Sequence, residues 1–404
     1  LHLDEAGRTV TLTGRGGKVA AGEHRVFCGN SGTTIRFLTA LLTTTTGEPA
    51  SSILLDGVAR MRQRPIGQLV DQLRALGGQI RYDGVEGYPP VAVVPAGLAG
   101  GPCRFEGAAS SQYISAVLMA APYARTPVTM ALVGPVTSEP YVEMTTRMLE
   151  QWGYDGLTET ADGGRMLTLA PGRYQPRDYA IEPDASNASY FLAAAAITKG
   201  SSITIEGLGK GSLQGDIALA DVLHQMGAGL AFGRDFVTVT GTGELHGIAI
   251  DMNHIPDMVQ TLAVVALFAD GPTHITNVAN LRIKETDRLA ALEAELVKLG
   301  ATVQTTADSI TITPTAKVAE IGEQIQQAKR YRLRRTTITA WGWRLRSRGC
   351  AFRGWRFSIR AVRRRHIQNI LRIWNGRWGW VAAVKRPDCG FYPQISQICT
   401  DYAI

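Results

Sequence analysis

The sequence predicts an α/β protein of two domains built from a repeated unit, and three observations carry that prediction. Helix–Gly–hairpin signatures recur at Leu76-Gly77, Trp152-Gly153, Met226-Gly227 and Leu299-Gly300, with the glycines 76, 74 and 73 residues apart. Each glycine ends an amphipathic run, at the position just past a helix where left-handed backbone favours Gly. Each is followed by two alternating apolar runs, such as 80–82 with 91–94 or 303–305 with 310–312, the pattern of an antiparallel strand pair. A period of this length is too long for a solenoid and fits one compact α/β unit per repeat. Parallel pairing inside a unit requires helical crossovers, while the terminal hairpin makes each sheet mixed. With 404 residues, the chain is long enough for two sizeable cores. One further period back from Gly77 reaches residue 1 or 2, and the chain opens on a hairpin pattern, 1–3 with 9–13. A helix before that hairpin is therefore expected to be missing.

Taken in chain order, the junctions before the helices hold the chemistry. Asn30-Ser-Gly-Thr-Thr34 opens a helix over 35–42, with Arg36 in its first turn. Small polar residues at a helix N-terminus let backbone N–H groups approach an anion, and Gly32 removes an obstructing side chain. An ordinary Ser/Thr cap competes with that reading on nearly equal terms. Arg60-Met-Arg-Gln-Arg64-Pro65 places three guanidiniums before a proline-started helix. A charge run is ordinarily just solvated, but Arg is suited to bidentate grasp of phosphate or carboxylate. Ser110-Ser111-Gln112 caps a helix over 113–121 with two hydroxyls and an amide. Ser138-Glu-Pro-Tyr141 looks like a helix start, although no Glu falls three residues beyond Ser138 to complete a capping box. The domain boundary is expected near 176–179, dividing 1–177 from 178–330, before an Ala-rich helix over 190–198.

Asp257 follows Pro256 at the head of an apolar helix over 258–268, where an N-cap is the simplest reading. The densest signal is Asn280-Leu-Arg-Ile-Lys-Glu-Thr-Asp-Arg288, with Lys284, Glu285, Asp287 and Arg288 packed between a strand-like run and an amphipathic helix over 289–299. Helix dipole and free N–H groups favour anions at such a junction. A capped helix start with Thr286 or Asp287 as N-cap would explain an isolated cluster; this one has company along the whole chain.

Composition excludes several classes. No run of 18 uncharged apolar residues suggests a membrane span, and residues 1–20 lack a signal-peptide pattern, so cytoplasm is the expected compartment. Five cysteines without a C-x-x-C pair argue against a disulfide framework or zinc site. His24, His224 and His246 lack metal-ligand spacing, and Gly14-Arg-Gly16 and Gly207-Leu-Gly209 are too weak for a dinucleotide site. The net charge of +7 combines unlike parts. Residues 329–404 hold 18 Lys and Arg against 2 Asp and Glu, leaving 24 against 33 before them, and six of the seven Trp fall in that tail. Arg interleaved with Trp could make a nucleic-acid arm.

From residue 1 to about residue 328 the chain resembles the 5-enolpyruvylshikimate-3-phosphate synthase family, which carries the same motifs in the same order. The resemblance implies two domains of three βαβαββ units each, helices in the middle, an inside-out α/β barrel known as the enolpyruvyl transferase fold, with the site in the interdomain cleft. It implies a monomeric enzyme of aromatic amino-acid biosynthesis using shikimate-3-phosphate and phosphoenolpyruvate, with no metal, cofactor, membrane or nucleic acid. By the same match, Gly32, Arg64, Gln112 and Arg288 contact phosphoenolpyruvate, with Arg36 beside it. Ser110, Ser111, Gln112, Ser138, Tyr141, Asp257, Asn280 and Lys284 contact shikimate-3-phosphate. Asp257 would accept the proton of the 5-hydroxyl, Glu285 would protonate the methylene carbon, and Lys284 would polarise the site.

The tail is then expected to be a coding segment read out of frame. Regrouping the codons of residues 336–341 one base earlier permits Tyr-Asp-His-His-Arg-Met, close to a family motif, and residues 365–371 regroup to Lys-Thr-Tyr-Pro-Glu-Tyr-Phe, close to another. Three rival readings remain: a nucleic-acid-binding protein acting through its tail, an inactive remnant lacking basic residues at both ends, and an enolpyruvyl transferase for UDP-N-acetylglucosamine. The last uses a loop Cys, and neither Cys28 nor Cys103 occupies a matching position.

Overall fold

A computed structural model describes residues 2–4, 9–14, 16–160 and 164–315. The expectations about the Arg/Trp-rich segment 331–404 lie outside the described residues. After a short antiparallel pair, β1 (His2–Asp4) and β2 (Thr9–Thr11), and the two-residue β3 (Lys18–Val19), the first unit begins. It runs β4 (Glu23–Phe27), α1 (Gly32–Thr43), β5 (Thr46–Gly47), β6 (Ser52–Asp56), α2 (Gly67–Ala75), β7 (Gln79–Tyr82) and β8 (Val91–Val94), with β5 paired to β3. The second runs β9 (Gly101–Glu106), α3 (Ser111–Ala120), β10 (Val128–Val133), α4 (Pro140–Gln151), β11 (Leu157–Thr160) and β12 (Arg165–Leu169). The third comprises α5 (Ala185–Ala196), β13 (Ser202–Glu206), α6 (Leu219–Gln225), β14 (Gly229–Phe232) and β15 (Phe236–Thr240). The fourth comprises β16 (Ala249–Asp251), α7 (Val259–Val265), β17 (Thr273–Thr276), α8 (Arg288–Val297), β18 (Thr302–Thr305) and β19 (Ile310–Thr313).

Sheet topology repeats with the sequence. The orders β4-β6-β8-β7, β9-β10-β12-β11 and β16-β17-β19-β18 superpose position for position; the third unit, β13-β15-β14, has the same order from its second strand. In the first, second and fourth units the opening strand pair is parallel and the remaining pairs antiparallel, as helical crossovers and hairpins dictate. The four periodic glycines, Gly77, Gly153, Gly227 and Gly300, have φ of +88°, +72°, +112° and +87°. Each closes a helix in the left-handed region, the physical reason for the repeat seen in the sequence.

The helices form the interior. Every residue of α7 is buried, and α5 buries Ala193, Ala195 and Ala196, whose small side chains permit close helix approach. Strands alternate, as β10 does from Val128 to Val133, presenting one face to the helices and the other outward. Buried side chains gather in two clusters, one from Cys28 to Leu169 and one from Ala185 to Ile312. Several helices begin earlier than periodicity predicts, because caps act before the apolar stripe starts. Ser110 accepts from the Gln112 amide, so α3 begins at Ser111; Asp184 accepts from the Asn187 amide at 3.1 Å, so α5 begins at Ala185. The helix expected over 258–268 is an α-helical centre flanked by single 3-10 turns, Pro256–Met258 and Ala266–Phe268.

Gly227→Ala should destabilise the protein by about 1–3 kcal/mol, because its φ suits glycine and an added Cβ would lie 2.6 Å from the Glu244 carbonyl oxygen. Urea denaturation compared with wild type measures the loss, and an unchanged midpoint would contradict the strain argument.

Candidate functional site

Strand-to-helix turns gather the charged residues. In the first unit, α1 is capped by Ser31, whose hydroxyl accepts from the Thr34 amide at 3.2 Å. Gly32 begins that helix under the guanidinium of Arg64, and a Cβ there would sit 2.5 Å from Arg64 Nη2. Arg64 lies at the end of the 3-10 turn Met61–Gln63 and donates from Nη1 to the Asn30 carbonyl at 2.8 Å, while its Nε has no partner among the described residues. Burial, reinforced by the like charge of Arg36, pulls its pKa down to about 10. Arg36 is equally buried. It donates to Gln112 Oε1 at 2.7 Å, Ser110 Oγ at 3.5 Å and the Pro65 carbonyl at 3.3 Å, and lies over the Tyr113 ring at 4.9 Å. Gln112 Nε2 reaches Thr33 Oγ1 at 3.4 Å. Among the described residues neither Arg36 nor Arg64 joins a salt bridge. Two adjacent buried cations hydrogen-bonded only to neutral acceptors form a site for an anion.

The fourth unit supplies the opposing wall. Arg288, the first residue of α8, donates from Nη1 to Asp257 Oδ1 at 2.7 Å, and from Nε and Nη2 to the two oxygens of Glu285 at 2.8 and 3.1 Å. Lys284 Nζ stands 3.5 Å from Asp257 Oδ1. Burial by itself would raise the proton affinity of Asp257, but Lys284 and Arg288 outweigh it and hold the carboxyl well below the usual carboxylate range. Burial lowers Lys284, an effect that Asp257 partly offsets. Burial also opposes the charge of Arg288, yet its two carboxylate partners raise its pKa overall. Gln260 is buried beside them; oriented to satisfy its neighbours, its amide donates to the Asp257 carbonyl at 2.9 Å and accepts from Arg288 Nη1 at 3.1 Å. Asp287 is the N-cap of α8, accepting from the Ala290 amide at 3.0 Å. Asn280 is buried, its Oδ1 unpartnered among the described residues.

The walls meet. Glu285 and Arg288 act electrostatically on Arg64, and Arg36 acts on Lys284. Asn30 Nδ2 donates to the Glu285 carbonyl at 3.4 Å. At the second and third units, Tyr141 of α4 donates its hydroxyl to Asp216 Oδ2 at 3.0 Å, and Ser186 of α5 donates to the same oxygen at 2.5 Å. Ser138, with φ of +57°, donates its amide to the Asn253 carbonyl at 3.0 Å. It is not a capping residue: Glu139 occupies the N-cap of α4 without a side-chain bond, and Ser138 stands just before it, buried and in the left-handed region. The structure thus places Gly32, Arg64, Ser110, Ser111, Gln112, Ser138, Tyr141, Asp257, Asn280, Lys284, Glu285 and Arg288 on strand-to-helix turns or the first helical turn of the units.

Sequence reasoning overlooked Asp216, Ser186 and Gln260, and left Arg60 without a role. Asp216 is buried with Oδ1 unpartnered, and burial followed by the charge of Asp257 raises its pKa. Its signal is the Gln214-Gly-Asp216 turn before α6, the same kind of strand-to-helix junction that holds Asp257. Cys28 and Cys103 are buried, and desolvation pushes their thiols up to about 11 and about 12, the opposite of a reactive thiolate. Among the described residues no group of three or more His, Cys, Asp or Glu could hold a metal, and no helix is long and apolar enough to cross a membrane.

Comparison with known proteins points to one family. The family model for EPSP synthase (3-phosphoshikimate 1-carboxyvinyltransferase) matches residues 1–331. A 3-phosphoshikimate 1-carboxyvinyltransferase of Marinomonas sp. (strain MWYL1) is 45% identical over 317 residues, covering 78% of this chain and 73% of the relative. One from Shewanella amazonensis is 45% identical over 310 residues, covering 76% and 70%. A solved EPSP synthase from Acinetobacter baumannii aligns with a TM-score of 0.56 at 28% identity, over 73% of this chain; the match spans 66% of that protein's chain.

Two outcomes test the electrostatics. Gly32→Ala should leave thermal stability nearly unchanged, since the helix tolerates Ala and the flexible Arg64 head can move aside. It should nevertheless weaken binding of an anionic ligand such as phosphoenolpyruvate several-fold or more, read by titration calorimetry, because Arg64 no longer occupies its place. For Asp216 the native pKa is raised, so the native state holds the proton more tightly than the unfolded chain. Its contribution to stability is therefore full below the unfolded carboxylate value, about 3.9, and is lost as pH rises through the raised native value. Asp216→Asn should gain melting temperature relative to wild type as pH increases across that window; a gain independent of pH would refute the assignment.

Proposed function

The chain belongs to the EPSP synthase family, and from that premise we propose that it transfers the enolpyruvyl group of phosphoenolpyruvate to the 5-hydroxyl of shikimate-3-phosphate, releasing phosphate. The observation that carries the proposal is the pair of buried guanidiniums, Arg36 and Arg64, facing a carboxylate cluster bridged by Arg288. Two dianionic or trianionic substrates supply the counter-charge that this cleft lacks. We assign phosphoenolpyruvate to Gly32, Arg64, Gln112 and Arg288, and shikimate-3-phosphate to Ser110, Ser111, Gln112, Ser138, Tyr141, Asp257, Asn280 and Lys284. The domain division is placed at 1–177 and 178–330, supported by the lack of helix or strand over 170–184 and by cores that end at Leu169 and begin at Ala185. A cytoplasmic monomer accompanies this reading.

The chemistry is an addition followed by an elimination. The 5-oxygen bonds to C2 of phosphoenolpyruvate, its proton passing to Asp257, while Glu285 delivers a proton to C3. The C2–O bond to phosphate then breaks, the departing phosphate takes the proton held by Asp257, and C3 returns its proton to Glu285, regenerating the double bond. Asp257 is too weak a base while Lys284 and Arg288 hold it. A substrate carboxylate on Arg288 and a substrate anion near Lys284 draw on the same cations, so binding itself raises the basicity of Asp257. The same competition loosens the Arg288 fork from Glu285.

Phosphate release from the two substrates tests the proposal, alongside calorimetric binding of shikimate-3-phosphate. Asp257→Asn and Glu285→Gln should each lower kcat by about a hundredfold or more, with shikimate-3-phosphate still bound by Glu285→Gln. Absence of shikimate-3-phosphate binding to the wild-type chain would reject the assignment.

A further inference from the structure

Arg60 makes the principal side-chain bridge between the first unit and the segment bearing Lys284 and Glu285. It follows β6 and caps the 3-10 turn Met61–Gln63. Its guanidinium reaches across to the fourth unit, donating from Nη2 to the Lys284 carbonyl at 3.0 Å and the Arg282 carbonyl at 3.3 Å, and from Nε to the Lys284 carbonyl at 3.3 Å. Asn30 adds its 3.4 Å bond to the next carbonyl, that of Glu285. These carbonyls lie at or just beyond the end of the 3-10 turn Ala279–Ile283, where the dipole is negative and a cation is favoured. The other flank of the segment is braced within its own unit. Arg282 donates to Asp287 Oδ2 at 2.9 Å, to the Ala307 carbonyl at 3.1 Å and to the Thr306 carbonyl.

We propose that Arg60 is a positioning residue that couples closure of the two halves to placement of Lys284 and Glu285. The guanidinium touches backbone, not the reacting side chains. It fixes the peptide between them, and so the directions in which both side chains leave the chain. Arg282 supports the segment however the halves sit, whereas the hold from Arg60 exists only when the first unit is against the fourth. The constellation of Asp257, Lys284, Glu285 and Arg288 is thereby completed by the arrival of Arg36 and Arg64 on the opposite wall, and a half-open protein lacks it. The functional part of this inference rests on the enolpyruvyl-transfer reading; the clamp itself does not.

Hydrogen exchange in the full chain without added ligand, followed in peptides covering residues 279–292, tests the clamp. Arg60→Met should speed exchange there by about tenfold while melting temperature and exchange elsewhere stay near wild type. Arg60→Lys, which can reach one carbonyl but not fork across two, should fall between them. Exchange unchanged by Arg60→Met overturns the proposal. If that variant does not fold, the Lys variant decides alone, and wild-type exchange in it is the overturning result. With both substrates present, Arg60→Met should lower kcat about tenfold while the KM for shikimate-3-phosphate moves less than about threefold. A change confined to KM would make Arg60 a binding group and overturn its positioning role. Failure of the wild-type chain to bind shikimate-3-phosphate would count against the functional reading, leaving the exchange result to judge the clamp.

Discussion

The arrangement of the cleft depends on one electrostatic constraint, the burial of Arg36 and Arg64 together without a carboxylate partner among the described residues. Removing two like charges from water is costly, and here the compensation comes from neutral groups: carbonyls of Asn30 and Pro65, the amide of Gln112 and the face of Tyr113. Neighbouring features follow from it. Gly32 lacks a side chain because Arg64 lies over it. Tyr113 is buried and donates to the Pro65 carbonyl at 2.6 Å, which steadies the carbonyl that Arg36 also uses. The cost is offset only when the cleft receives negative charge, and the nearest protein source is already engaged with Arg288.

Arg288 makes the second half of that argument. It divides one guanidinium between Asp257 and Glu285, so the two carboxylates are coupled through a shared partner and not through direct contact. An anion entering the cleft changes both at once. Asp216 extends the coupling toward the seam between the second and third units, because its proton affinity responds to the charge on Asp257. Tyr141, hydrogen-bonded to Asp216, links that carboxyl to a second residue assigned to the same substrate as Asp257. The cleft therefore behaves as one charged network and not as separate binding subsites.

How much of this was legible in the sequence varies with the range of the interaction. The periodic glycines were legible because a positive φ is a local demand that few other residues meet. The charge cluster before α8 was legible because Lys284, Glu285 and Arg288 lie within one turn of each other. Helix starts were less so: Ser110 and Asp184 act ahead of the apolar stripe, and periodicity alone begins counting too late. The Tyr141–Asp216 bond joins residues 75 apart, and Arg60 meets Lys284 across 224. Neither pairing has a local pattern. An Asp before a helix reads as a cap, and an Arg in a charge run reads as solvated, until packing supplies the partner.

The repeat explains why so many distant residues converge. In the first, second and fourth units the first two strands run parallel and each hands the chain to a helix, giving two strand-to-helix turns at one end of the sheet, and in the third unit β13 gives one more. Ligands of α/β sheets bind beyond the carboxyl ends of parallel strands, where helix N-termini also point. The described residues contain seven such turns, and all seven hold a candidate site residue: Gly32, Arg64, Ser110, Ser138, Asp216, Asp257 and Lys284 lie in or immediately after them, while Ser186 stands at the start of α5, which follows the segment 170–184. Closing two sets of these turns against each other concentrates positive helix ends and Arg side chains in a single cleft. A fold assembled by repeating one unit thus produces, from its topology alone, an anion-binding centre in which each copy supplies different chemistry.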